Sequence, residues 1–249
     1  MSSAMITTSA RLMNSTPQTE EQAMVRKVAV SSFLGNFIEW FDYASYSYFA
    51  TTIALVFFPT DNHTVAMLQT FGVFALSFIL RPIGALFWGS YGDKKGRKAA
   101  LAHSIMFMSG ASFLIGCLPS YSVIGVGAPI LLLLLRMVQG FSASGEYAGA
   151  ATFLGEYAPT SKRGIYCSLI PASTAIGLLA GSTLATLMTA NMNSSAMVGW
   201  GWRVPFLLAG PLGLIVLYIR AKLADSPVYQ SMNDALESKG AASVDGQIC

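Results

Sequence analysis

Apolar residues fall in long runs along the chain, not at every second position. Six stretches stand out after a polar, Ser- and Thr-rich opening that extends to Val25: about Val28–Phe58, Val65–Tyr91, Lys98–Leu118, Pro129–Glu156, Arg163–Ala190 and Trp202–Lys222. Each is long enough to cross a hydrocarbon core, which takes about 20 residues. All six are predicted as helices. Isolated strands leave backbone groups unpaired in lipid, and a barrel would show alternating segments of about ten residues. The opening lacks a short apolar region behind a basic start, so it reads as a tail and not as a cleaved signal peptide. The expected layout is a polar tail at 1–27, a six-helix membrane domain at 28–222 and a second polar tail at 223–249.

Composition agrees with this. The chain of 249 residues is 53% apolar and 11% charged, against about 25% charged residues in soluble domains. With a mean hydropathy of +0.54, this excludes a disordered chain, a nucleic-acid binder and an ordinary cytosolic enzyme. The position of the charges says more than their number. Arg26 and Lys27 precede the first span, Lys94, Lys95, Arg97 and Lys98 join the second to the third, Lys162 and Arg163 join the fourth to the fifth, and Arg220 and Lys222 follow the sixth. The other three connections carry no Lys or Arg. The positive-inside rule therefore places both termini in the cytoplasm. With Arg11 and Lys239, 12 of the 15 basic residues fall on that side. Cys117, Cys167 and Cys249 lie at depths that prevent an internal disulfide.

Five ionisable residues remain inside spans: Glu39 and Asp42 in the first, Arg81 in the second, Arg136 and Glu146 in the fourth. Such residues cost about 2.5–3.5 kcal/mol each at a helix centre and usually face an interior cavity. Glu39, Arg81 and Glu146 fall at a similar depth, about 5 Å to the cytoplasmic side of the midplane, which predicts a shared polar site. Three acids against two guanidiniums leave one carboxyl without a permanent partner, a candidate proton carrier. The competing reading is that these residues form salt bridges that only lock helices together. Asn36, Glu39, Tyr43 and Tyr46 share one helical stripe, a face suited to a polar solute. Gly145 and Gly149 in the fourth span, and Gly177 and Gly181 in the fifth, allow close helix approach, whether for static packing or for sliding. Pro82 and Pro171 are expected to kink their helices. His63 and His103 stand apart, so no metal site is expected. No phosphate-binding Gly-Lys-Ser/Thr loop or other cofactor motif occurs.

The turn Gly89-Ser90-Tyr91-Gly92-Asp93-Lys94-Lys95-Gly96-Arg97-Lys98 resembles the signature cytoplasmic loop of the major facilitator superfamily, with Lys94 where Arg is commoner and Tyr91 where Leu is commoner. Physically, the glycines permit a tight turn, and Asp93 is expected to accept amide bonds at the start of the third helix. Gly35–Tyr43, Arg81-Pro82-Ile83-Gly84, Arg136–Gly140 with Gly145-Glu146, Gly201–Phe206 and Asp225–Tyr229 together resemble the metabolite:proton symporter family, whose members carry proline and betaine, α-ketoglutarate, citrate or shikimate. The likeness covers about 26–230.

The resemblance implies an all-α fold: a six-transmembrane-helix bundle with a 3+3 inverted repeat, the amino-terminal half of a major facilitator fold. It implies proton-coupled symport of a small polar or carboxylate-bearing solute across a bacterial inner membrane. The expected roles are proton coupling by Glu39, Asp42 and Arg136, solute contact by Asn36, Tyr43, Arg81 and Glu146, and gating by Gly89, Asp93, Gly96, Arg97 and Lys98. The expected partners are the solute, protons and the bilayer, with no cofactor, metal or nucleic acid. Family members have twelve helices, so the chain is expected to be a half-transporter that needs a carboxy-terminal half or a second six-helix chain. An inactive truncated or regulatory membrane protein is the first alternative. A membrane-embedded enzyme is the second, and it lacks a nucleophile–base or metal constellation.

Overall fold

A computed structural model describes residues 16–223. The tail features at Arg11, Asp225–Tyr229, Lys239 and Cys249 lie outside the described residues. The described chain is helical, with no strand: α1 (Thr16–Tyr48), α2 (Ala50–Phe57), α3 (His63–Ile79), α4 (Arg81–Lys95), α5 (Arg97–Cys117), α6 (Tyr121–Ile124), α7 (Gly127–Ala143), α8 (Glu146–Tyr157), α9 (Arg163–Cys167), α10 (Leu169–Asn191), α11 (Ser194–Ala196) and α12 (Arg203–Ala221). Among the described residues, five helical rods are long and apolar enough to cross a membrane: His63–Lys95, Arg97–Cys117, Gly127–Tyr157, Thr160–Asn191 and Ser194–Ala221. These are spans 2 to 6. Span 1 is α1 and α2, interrupted at Phe49. Its apolar character is diluted by Ser31, Ser32, Asn36, Glu39, Asp42 and Ser45, all of them buried. Its polar face points into the protein, not into lipid.

Two boundaries differ from the sequence reading. Span 1 is helical from Thr16, well before its apolar part begins, with Pro17 in the first turn, where a missing N–H is no loss. Hydropathy marks the part that meets lipid, whereas the helix itself continues beyond it. Span 6 begins at Ser194, inside the expected outer connection, because the Asn193 side chain accepts the Ala196 amide at 2.8 Å. A π-helical turn at Met197–Gly201 then leads into α12.

Breaks at Leu80, Ser144–Gly145 and Ser168 divide spans 2, 4 and 5. Pro82 occupies the first turn of α4, so it begins a helix instead of kinking one. Pro171 likewise falls in the first turn of α10, after the break at Ser168, and among the described residues the proline in a helix interior is Pro211, in α12. The principal packings between spans 1–3 and spans 4–6 join spans 1 and 5, 2 and 4, 3 and 6, 3 and 4, 1 and 6, and 1 and 4. Exchanging 1 with 4, 2 with 5 and 3 with 6 maps this set onto itself, the packing expected of an inverted 3+3 repeat. One apolar cluster, with Phe57, Leu132, Trp202 and Phe206, fills one part of the bundle. A second, with Val28, Leu101, Phe153 and Ile170, fills another.

Candidate functional site

Span 1 supplies two acids that face different neighbours. Arg81, the first residue of α4, follows the break at Leu80, and its Nη2 donates to Glu39 Oε1 at 2.6 Å. The same nitrogen donates to the Tyr43 hydroxyl. The guanidinium lies 4.7 Å from the centroid of Phe78 and 5.1 Å from that of Tyr43, within cation–π range. Three residues beyond Glu39, Asp42 turns to span 4. Arg136 Nη1 donates to its Oδ2 at 2.7 Å, and Gln139 Nε2 donates to its Oδ1 at 3.2 Å. Gln139 also donates to Ser112 Oγ at 2.5 Å. Arg136 sits 3.7 Å from the centroid of the Tyr46 ring, and the Tyr46 hydroxyl donates to the Thr70 carbonyl at 2.9 Å.

Glu146 is not brought to Arg81. It begins α8 just after the break at Ser144–Gly145, and its carboxylate is held by Arg220, from span 6, through Nη1 to Oε2 at 2.9 Å and through Nη2 to Oε1. Ser104 adds a bond to Oε2 at 3.4 Å. Arg220 also donates to the Leu101 carbonyl at 2.5 Å and the Ser31 carbonyl at 3.3 Å. This corrects the expectation of one unpartnered acid. Arg220 ends a span beside Lys222 and reads as a topology marker, but it is 1% exposed. Span 6 packs on spans 1 and 3, so the side chain turns inward. Among the described residues, the ion pairs inside the bundle therefore join three acids, Glu39, Asp42 and Glu146, to three guanidiniums, Arg81, Arg136 and Arg220.

Asn36 likewise stands apart from Glu39 and Tyr43. Its Nδ2 donates to Ile170 O, Ser173 Oγ and Thr174 Oγ1 at 3.0, 2.8 and 2.9 Å, which ties span 1 to span 5. In the turn between spans 2 and 3, Gly96 has φ 95°, a conformation that favours glycine. Gly89 faces open space, and Lys98 is the second residue of α5. Asp93 does not cap the third helix, whose first position is preceded by Gly96. It lies inside α4 and pairs with Arg97 at 3.4 Å, while Arg97 reaches Glu156 of span 4 at 3.8 Å.

The sequence reading missed Phe78, Gln139 and Arg220. Gln139 follows Arg136 by three residues, and Phe78 precedes Arg81 by three, so helical spacing could have found both. Arg220 carries no local signal.

This site and fold can be set beside known proteins. The family model described as "Sugar (and other) transporter" matches residues 27–246. The chain belongs to this family of the major facilitator superfamily. It is 42% identical over 217 residues to the proline/betaine transporter of Salmonella typhimurium, covering 87% of this chain and 43% of that protein. It is also 42% identical over 217 residues to the glycine betaine/proline/ectoine/pipecolic acid transporter OusA of Dickeya dadantii, with the same coverage. The chain thus spans less than half the length of these relatives, and it aligns with their transporter sequence, not with an enzyme. Among solved structures, the partially occluded inward-open xylose transporter XylE from E. coli superposes with a TM-score of 0.76 at 17% identity, over 85% of this chain and 51% of that one. The likeness shows the fold: a six-helix, multi-pass membrane unit equivalent to about half of a major facilitator protein.

Proposed function

We propose that this six-helix unit takes part in proton-coupled symport of a small carboxylate-bearing zwitterion of the proline or betaine kind. The observation that carries this reading is the Glu39–Arg81–Tyr43 group. The Arg81 side chain is 28% exposed, whereas Arg136 is sealed. An accessible guanidinium suits a planar carboxylate, and the Tyr43 and Phe78 rings beside it suit a quaternary or secondary ammonium. The names of the relatives, proline and betaine transporters, support the same chemistry. Asp42 and Arg136 form the deeper proton-coupling pair, with Glu39 nearer the solute. Asn36 and Glu146, already engaged by span 5 and Arg220, support the site. The Gly89–Lys98 turn, tied to span 4 through Arg97, serves as the gate. The unit lies in a bacterial inner membrane with its basic end in the cytoplasm, and a second six-helix unit completes the alternating motion.

Solute binding to the purified chain in lipid nanodiscs tests the reading. Arg81→Gln should weaken binding of proline or glycine betaine about 10- to 100-fold, the loss of a charge-assisted pair. Expressing the chain by itself and measuring proton-dependent uptake tests the transport step. Uptake abolished by Asp42→Asn supports symport by the chain alone. Binding without uptake shows that the second unit is required. Neither binding nor uptake favours a membrane protein with no transport role, a reading kept open by the 43% coverage of its relatives.

A further inference from the structure

The three membrane-buried acids differ in how their oxygens are used. Asp42 accepts at Oδ2 from Arg136 and at Oδ1 from Gln139. Glu146 accepts at Oε1 from Arg220 and at Oε2 from Arg220 and Ser104. Glu39 accepts from Arg81 at Oε1, while its Oε2 is buried and has no partner. The cations differ in the same way. Side-chain exposure is 28% at Arg81, 0% at Arg136 and 2% at Arg220. Buried nitrogens without a partner occur on all three guanidiniums, Nε of Arg81 and of Arg220 and Nε and Nη2 of Arg136, so it is exposure that sets Arg81 apart. The unpartnered acid oxygen and the exposed cation belong to the same ion pair.

A buried polar atom without a partner calls for an explanation in bound water, ion or ligand. We infer that the solute carboxylate takes the exposed Arg81 guanidinium in place of Glu39, and that Glu39 binds one proton on Oε2 as it is released. The inference rests on the solute reading given above. Arg81 stays charged and passes from one carboxylate to another. Glu39 goes from carboxylate to carboxylic acid with one proton from water, and no covalent bond to the solute forms. A released, ionised Glu39 would keep only the Tyr43 hydroxyl nearby as a donor, an expensive state away from water. The other buried charges do not replace Arg81. Glu146, the other charge beside Glu39, is an acid already held by Arg220, and Arg136 is committed to Asp42. One guanidinium thus links solute binding to proton binding.

Isothermal titration of the full chain in nanodiscs with glycine betaine, in two buffers of different ionisation enthalpy, tests this. Glycine betaine has no N–H to offer Glu39, so the carboxylate exchange is read alone. The expected result is about one proton taken up per solute bound. Glu39→Gln should bind with no proton uptake, and Glu39→Asp should restore it. In infrared difference spectra, a carboxylic-acid C=O band should appear with glycine betaine in the wild type and be missing in Glu39→Gln. Choline, which lacks the carboxylate, should bring in no proton. Betaine binding without proton uptake, or uptake that persists in Glu39→Gln, overturns the exchange while leaving the solute site standing. A wild-type chain that binds no betaine overturns the solute reading itself and the exchange with it.

Discussion

Arg220 donates to Glu146 and to the Leu101 and Ser31 carbonyls, so one side chain from span 6 holds spans 1, 3 and 4 together. Removing one member of a buried pair leaves a bare charge in a dry site, at a cost of about 3–5 kcal/mol. Arg220→Met should therefore lower stability by about that amount in denaturant titrations of the detergent-solubilised chain. Combining it with Glu146→Leu should recover most of the loss, because the two positions are coupled and not additive. Gly35 belongs to the same cluster, since a methyl there would fall on the Glu146 carboxylate and the Arg220 guanidinium. Gly35→Ala should destabilise the chain by about 1–3 kcal/mol in the same titration. Glu39, Asp42, Arg81, Arg136 and Glu146 are recognisable in the sequence because a charge inside an apolar run stands out. Their pairing is not, because partners 42, 94 and 74 residues apart meet only through packing. Arg220 shows the limit most clearly: a basic residue at a span end has the same sequence signature whether it faces headgroups or a buried acid.

Spans 2 and 4 cross at their breaks, and the contact is reciprocal. A methyl at Gly84 of α4 would fall on the Phe141 carbonyl of α7, and one at Gly140 of α7 would fall on the Ser77 carbonyl of α3. Phe141 O is bonded by Ser144 Oγ at 2.7 Å and by Trp88 Nε1 at 3.1 Å, which satisfies a carbonyl released where span 4 is interrupted. Backbone approach of this kind is how membrane helices pack without a hydrophobic drive between them. Gly140→Ala or Gly84→Ala should destabilise the chain by about 1–3 kcal/mol through overpacking. Gly110→Ala, with nothing within 4 Å of its added methyl, should be neutral or stabilising by up to about 1 kcal/mol. Thermal unfolding of the three variants checks the contrast. The spans themselves follow from hydropathy. The breaks do not: Leu80 lies two residues before Pro82, and the local sequence does not distinguish a proline that starts a helix from one that bends it. Asp93 illustrates the same difficulty, since the helix it was expected to cap begins only after Gly96.

The six-helix unit has two unlike ends. Lys94, Lys95, Arg97, Lys162 and Arg163 gather at one, and the connections at the other contain no Lys or Arg. Single cysteines replacing Lys95 and Ser122 should label from opposite faces of intact cells with an impermeant maleimide, Ser122→Cys from outside. Labelling of both from one face would contradict the proposed orientation. The packing symmetry is a property of the whole bundle that no single span reveals.

The separation of the charge partners along the chain bears on how the protein is made. Span 1 enters the membrane carrying Glu39 and Asp42, but Arg81 arrives one span later and Arg136 only with span 4, while Glu146 waits for Arg220 at the end of span 6. Until then each acid is an unpaired group in hydrocarbon. The early helices have reason to remain beside the insertion machinery until their counter-charges emerge. The last of these ion pairs can close only once span 6 has emerged beside spans 1, 3 and 4.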